Sequence, residues 1–211
     1  MSVPREIEIE TPHGPARAHL RPVAEPRALL VLGHGAGGGV GAADLVRVAD
    51  AAGERQLAVA LVEQPYRVAG RRAPAPAHQL DAAWTAVVAR LRDELPAGLP
   101  LIAGGRSSGA RVACRTAAAT DAAGVLCLAF PLVPPRRAER PPAASRLPEL
   151  EAVAVPVLVV QGRNDRFGIP PAAPGRTIVE VEGDHALRRE HATIAAAFVA
   201  WLATVVPATA G

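Results

Sequence analysis

Leu101-Ile102-Ala103-Gly104-Gly105-Arg106-Ser107-Ser108-Gly109-Ala110 is the stretch of sequence on which the fold turns. The apolar run Leu101 to Ala103 reads as a strand, and the pattern from Ser108 to Ala119 reads as a helix that begins at once. Between them a serine has glycine two residues before it and two after. A strand that turns directly into a helix makes a strained corner, where a Cβ at either of those places would strike the neighbouring strand or helix. Gly105 and Gly109 meet that demand for Ser107. Centring the corner on Ser108 would instead put Arg106 where a small residue is needed. A Ser-Ser pair can also serve merely to cap a helix. Yet the chain has only four serines, and one falls centrally between two correctly spaced glycines after an apolar run. Ser107 is therefore expected to be a nucleophile presented at the end of a strand.

Working outward, Glu6 to Glu10 alternates in type, residues 11–15 supply turn formers, and Ala16 to Leu20 resumes an extended pattern, which predicts a hairpin. Four short apolar runs without alternation follow at Ala28 to Leu32, Leu57 to Val62, Pro100 to Ala103 and Val125 to Phe130, and two further apolar runs at Val155 to Val160 and Thr177 to Val181 precede the last helix. Runs of this kind suit strands buried on both faces of a parallel sheet. Helical patterns lie between or after them at Ala42 to Glu54, Ala77 to Glu94, Ser108 to Ala119 and Glu190 to Val205. The expectation is an α/β fold: a doubly wound, mostly parallel eight-stranded sheet with helices on both faces, over one domain spanning residues 1–211. The stretch Pro131 to Pro148 lies where a cap domain is often inserted, but it is short and holds six prolines, so a surface loop and no cap are expected.

Composition narrows the function classes. All 23 basic residues are arginine, yet they are interleaved with acids and the net charge is only +3. With no basic run, one Tyr and three Phe, nucleic-acid binding is not expected. No apolar segment reaches the 18 or so residues of a membrane span, and the first thirty residues lack a signal-peptide core, so a cytoplasmic protein is expected. Cys114 and Cys127 sit in apolar surroundings and read as buried free thiols. No metal or cofactor is expected, and the oligomeric state is left open.

A serine hydroxyl is a weak nucleophile until a base takes its proton and an acid orients that base. His185, in Val181-Glu182-Gly183-Asp184-His185, falls just after the last strand and before the last helix, among the loops at the carboxyl edge of the sheet. The acid should precede it, in the chain order Ser, acid, His. Asp165 is the one carboxylate in Gln161-Gly162-Arg163-Asn164-Asp165. Asp184 is adjacent to His185, poorly placed to reach its ring, and suits a turn role. Charge developing on a substrate carbonyl needs two backbone N–H groups. Ser108 should supply one and Ala36, in Gly33-His34-Gly35-Ala36-Gly37-Gly38-Gly39, the other, since glycines let backbone approach a substrate. A phosphate or dinucleotide loop is the weaker reading, because the glycine spacing is not Gly-x-Gly-x-x-Gly. Tyr66 and Arg67, close after the strand Leu57 to Val62, are candidate substrate contacts, with Arg71 and Arg72 nearby. The alternative is that these arginines are solvated or paired with Glu63.

Four separated motifs, His34 to Gly38, Glu63 to Arg72, Gly104 to Arg111 and Gln161-Gly162-x-x-Asp165-x-Phe167-Gly168, together resemble a family of small bacterial α/β-hydrolases in the dienelactone-hydrolase-like clan. Its eukaryotic relatives are the testis-expressed protein thirty and a subunit of a non-specific-lethal histone acetyltransferase complex. The likeness runs from about Ala28 to Trp201. It implies the α/β-hydrolase fold without a cap and a triad on Ser107, Asp165 and His185. Dienelactone hydrolases use cysteine at the elbow, so serine here argues against that activity. Two readings follow: a serine hydrolase acting on a small ester or thioester, or a scaffold of the same fold without turnover, as the eukaryotic subunit suggests.

Overall fold

The computed structural model describes residues 3–134 and 143–206. Its strands are β1 (Arg5–Ile9), β2 (Ala16–Arg21), β3 (Ala28–Gly33), β4 (Leu57–Glu63), β5 (Leu101–Arg106), β6 (Ala122–Leu128), β7 (Val157–Gly162) and β8 (Arg176–Val181). Its helices are α1 (Ala43–Gly53), α2 (Pro65–Val68), α3 (Ala77–Arg92), α4 (Ser108–Thr116), α5 (Leu147–Glu151) and α6 (His191–Val205). One sheet contains all eight strands in the order β1-β2-β4-β3-β5-β6-β7-β8. Strand β2 pairs antiparallel with both β1 and β4, and every other pair is parallel.

Strands β3 to β7 are buried on both faces, which is why their sequences carry no polar stripe, whereas β8 at the sheet's edge leaves Thr177 and Glu180 exposed. Leu29 and Val31 of β3 belong to one core with Trp84, Val87 and Leu91 of α3 and Val112 of α4. Ala28, Leu30 and Leu32 belong to the opposite core with Leu45 and Val48 of α1 and Phe198 and Trp201 of α6. The hairpin strand β2 is covered on one face only, with Ala16, Ala18 and Leu20 buried and their neighbours half-buried. Cys114 and Cys127 are buried free thiols whose sulfurs lie 3.5 Å apart between α4 and β6.

Element order agrees with the sequence reading, while several boundaries move. Strand β5 runs on to Arg106, through Gly104 and Gly105, because the parallel ladder to β3 and β6 continues where hydrophobicity stops. Two short helices, α2 and α5, were not foreseen; each has proline in its first turn, where the missing N–H costs no helical bond. The expected loop 131–148 therefore gives way at its end to α5, and residues 135–142 of it lie outside the described residues. Among the described residues, α5 is the only regular element between β6 and β7.

Strand order positions the site. From β3 the chain crosses to β4 on one side, then returns to lay β5 on the other, so the loops leaving β3 and β5 diverge at the carboxyl edge. Such a switch point opens a crevice where ligands gather in doubly wound sheets.

Candidate active site

The loop leaving β5 carries Ser107, which precedes α4 at φ 51° and ψ −106°. A non-glycine residue in this region costs of order 1–3 kcal/mol and persists only where its surroundings fix it. Here the Ser107 N–H donates to the Leu128 carbonyl at 2.9 Å. A Cβ on Gly105 would come 2.5 Å from the Gly33 carbonyl oxygen, and one on Gly109 would overlap the same oxygen. Both glycines are therefore required by the end of β3, which lies against the corner.

Ser107 Oγ and His185 Nε2 are 2.9 Å apart, and His185 Nδ1 is 2.8 Å from Asp165 Oδ2. With Asp165 ionised, Nδ1–H donates to the carboxylate and leaves Nε2 free to accept the Ser107 proton. The Asp165 side chain is wholly buried, and its second oxygen accepts the Phe167 N–H at 2.9 Å. Asp184 is exposed and accepts the Ala186 N–H instead, as expected of a turn residue.

Three supporting groups belong to the motif around Asp165, although nothing in the sequence assigns them a role. Gln161 is fully buried and its Nε2 lies 2.7 Å from Asp165 Oδ2, 3.1 Å from the Phe130 carbonyl and 3.0 Å from that of Gly168. Its Oε1 has no hydrogen-bond partner among the described residues. The Phe167 ring packs on the His185 ring with centroids 4.3 Å apart. At Gly162 a side chain would overlap the Asp184 carbonyl, so the acid loop and the histidine loop touch backbone to backbone. A glycine three residues before the acid was visible in the sequence, but nothing local says which chain it must admit.

The glycine-rich loop after β3 lies beside this group, with Gly35 against Ser107 and Arg106. Ala36 lines the same cleft as Ser107 and His185. Among the described residues neither the Ala36 nor the Ser108 N–H is engaged by a backbone acceptor. His34 is buried and braces the loop: its Nδ1–H donates to the Gly35 carbonyl at 2.8 Å, and its Nε2 accepts the Gln64 N–H at 3.2 Å. Burial pushes its basicity below the ordinary histidine value, which suits a neutral ring accepting at one nitrogen.

Tyr66 and Arg67 are not among the residues lining the cleft around Ser107. Tyr66 is buried behind the loop; its hydroxyl donates to the Ala36 carbonyl at 3.1 Å and its ring meets that of His34 edge-on. It borders a separate cavity of about 310 Å³ with His13, Gln64 and Arg71. Among the described residues Arg67 Nη1 reaches the Arg71 carbonyl at 3.5 Å, and Arg71 and Arg72 are exposed. Helix α2 turns these side chains away from the corner, a redirection that a strand-end position in sequence does not reveal. Nor is Glu63 their partner: its carboxylate faces His19 and Arg17.

The Ser107 cleft is open, about 490 Å³, and walled by Gly35 to Gly38, Ala42 and Ala43 on one side and Ala186 to Arg188 on the other. Asp44 and Arg106 line it as well, joined by Nε donating to Oδ2 at 2.8 Å. Burial raises the Asp44 carboxyl above its ordinary value, opposed by the Arg106 charge. No cluster of three or more His, Cys, Asp or Glu able to hold a metal occurs among the described residues, and no described helix is long and apolar enough to cross a membrane.

A doubly wound sheet with a serine at a strained strand-to-helix corner, a histidine after the last strand and a carboxylate after the strand before it defines the α/β-hydrolase class. The chain belongs to the α/β hydrolase domain family, whose sequence profile matches residues 26–192. No curated protein matches it significantly. Solved structures share the fold at low identity. A lidless α/β serine hydrolase of Xanthomonas campestris is 20% identical with a TM-score of 0.74, covering 99% of this chain and 98% of that one. An esterase of Pyrococcus furiosus is 14% identical with a TM-score of 0.75, covering 97% and 91%. A dienelactone hydrolase of Anabaena variabilis is 16% identical with a TM-score of 0.70, covering 96% and 99%.

Proposed function

We propose that the chain is a serine hydrolase that cleaves a small ester or thioester through an acyl-enzyme on Ser107. The observation that carries this reading is the unbroken relay from Ser107 Oγ through the His185 ring to Asp165, at 2.9 and 2.8 Å, opening on a cleft. Ser107 Oγ attacks the carbonyl carbon while His185 Nε2 takes its proton, and Asp165 stabilises the imidazolium that results. The Ala36 and Ser108 N–H groups are the proposed donors to the oxyanion. Collapse of the adduct expels the alcohol or thiol, which His185 protonates. Water, deprotonated by the same ring, then releases the acid. Walls of glycine and alanine with few large apolar side chains favour short acyl groups over long ones. All described strands share one sheet, which supports reading the chain as one domain.

A serine-directed fluorophosphonate probe tests the reading without knowledge of the substrate. The label should map to Ser107, and Ser107→Ala should abolish labelling and cut ester turnover by about 10⁴-fold or more. Labelling that persists in Ser107→Ala but disappears in Ser108→Ala would refute the assignment. A folded wild type with no labelling and no turnover would favour the scaffold instead.

A further inference from the structure

Arg106 immediately precedes Ser107, and three other segments of chain meet on its guanidinium. Its Nε donates to Asp44 Oδ2 at 2.8 Å, its Nη2 donates to the His185 carbonyl at 2.6 Å, and its Nη1 lies 3.4 Å from where a Cβ on Gly35 would stand. Asp44 comes from the first turn of α1, and its carboxylate is 2% exposed. The other oxygen of that carboxylate accepts the Leu45 N–H at 3.0 Å, so the acid is held at both ends.

Folding has little use for this pair. Burial raises the Asp44 carboxyl despite the neighbouring arginine, so the ionised acid sits there at a cost. Replacing a buried ion pair by well-packed apolar residues is often neutral or stabilising. What the pair does reach is the backbone of the proposed base, from a residue bonded directly to the proposed nucleophile. A planar guanidinium suits this, because its donors diverge at fixed angles and serve two acceptors at once.

We propose that the Asp44–Arg106 pair is a positioning strut that holds the His185 backbone, and with it the imidazole, in register with Ser107. The inference rests on the serine hydrolase reading. Base and nucleophile come from loops 78 residues apart in sequence, and a misplacement of about 1 Å between reacting groups can cost on the order of 10²-fold. Arg106 spans that gap from the nucleophile's side, while Asp44 keeps its guanidinium from turning towards solvent.

Three variants test the strut, read by kcat and KM for p-nitrophenyl acetate, by the second-order rate of fluorophosphonate labelling, and by Tm. Asp44→Asn keeps the shape without the charge. Arg106→Lys keeps the charge without the two-way reach. The paired change Asp44→Leu with Arg106→Met replaces the ion pair by apolar volume. Each should lose roughly 10- to 100-fold in kcat and in labelling rate, with KM within about twofold. The paired variant should melt at or above the wild-type temperature while remaining slow, which a purely structural role does not predict. Should the single variants fold poorly, Arg106→Ala supplies a further arm, in which added methylguanidinium should raise kcat. Wild-type kcat and labelling in a folded Asp44→Asn or paired variant, or a loss confined to KM, would overturn the strut alone. An inactive, unlabelled wild type would overturn both the strut and the reading beneath it.

Discussion

The arrangement around Ser107 depends on which carboxylate faces the His185 ring. Asp165 Oδ2 is 2.8 Å from Nδ1, whereas Asp184, one residue before the histidine, turns its oxygen to the Ala186 N–H. Only the first is placed to stabilise an imidazolium. Asp165→Asn should therefore lower kcat by on the order of 10⁴-fold, since an amide there favours the wrong tautomer, and Asp184→Asn should change it by less than about tenfold. Steady-state rates on one activated ester decide the matter, and a larger loss at Asp184 would reverse the assignment. All three relay residues were legible in the sequence, because the corner motif is local and the chain order Ser, acid, His confines the search. Gln161 was not. It reads as the polar end of an apolar strand, and only the packed structure puts its amide 2.7 Å from the acid.

Among the elements, the junction of β5 and α4 depends most tightly on its sequence. Gly105 and Gly109 both face the Gly33 carbonyl, so α4 approaches β3 more closely than any side chain allows. Gly109→Ala should cost roughly 1–3 kcal/mol or more in stability and slow fluorophosphonate labelling, because the backbone it strikes cannot step aside. Gly53→Ala, at the end of α1 with open space around it, should be neutral or stabilise by up to about 1 kcal/mol. Urea unfolding of the two variants checks the contrast, and equal effects would mean that the close approach is not what makes Gly109 necessary. Helix α2 supplies the opposite lesson. Four residues of helix begun by Pro65 bury Tyr66 behind the glycine-rich loop and turn Arg67 towards Arg71. A strand followed by Tyr-Arg cannot report that rotation, because side-chain direction depends on a turn too short to leave a periodic signal.

Over the whole molecule, the buried Asp44 couples stability to pH. Its carboxyl is raised above the ordinary 3.8 chiefly by burial. A group of this kind contributes stability that is fully present below the unfolded value and is lost as pH rises through the raised folded one. Relative to Asp44→Asn, wild type should therefore lose stability as pH rises above the ordinary carboxylate value, while the proposed strut needs the ionised form. Denaturant midpoints of the two proteins across that rise in pH test this, and a gap that does not change with pH would show that Asp44 pays no burial cost. The sequence by itself determined the class of fold, the order of the strands and of the four longer helices, and the residues of the candidate relay. Those features follow from hydrophobic periodicity, from glycines a strained corner demands, and from a fixed chain order, all of which act over short stretches or along the chain. Only the tertiary structure decided what supports them. Asp44, Arg106 and the His185 carbonyl lie on three separate segments, and their hydrogen bonds exist because the sheet's switch point folds those segments into one crevice.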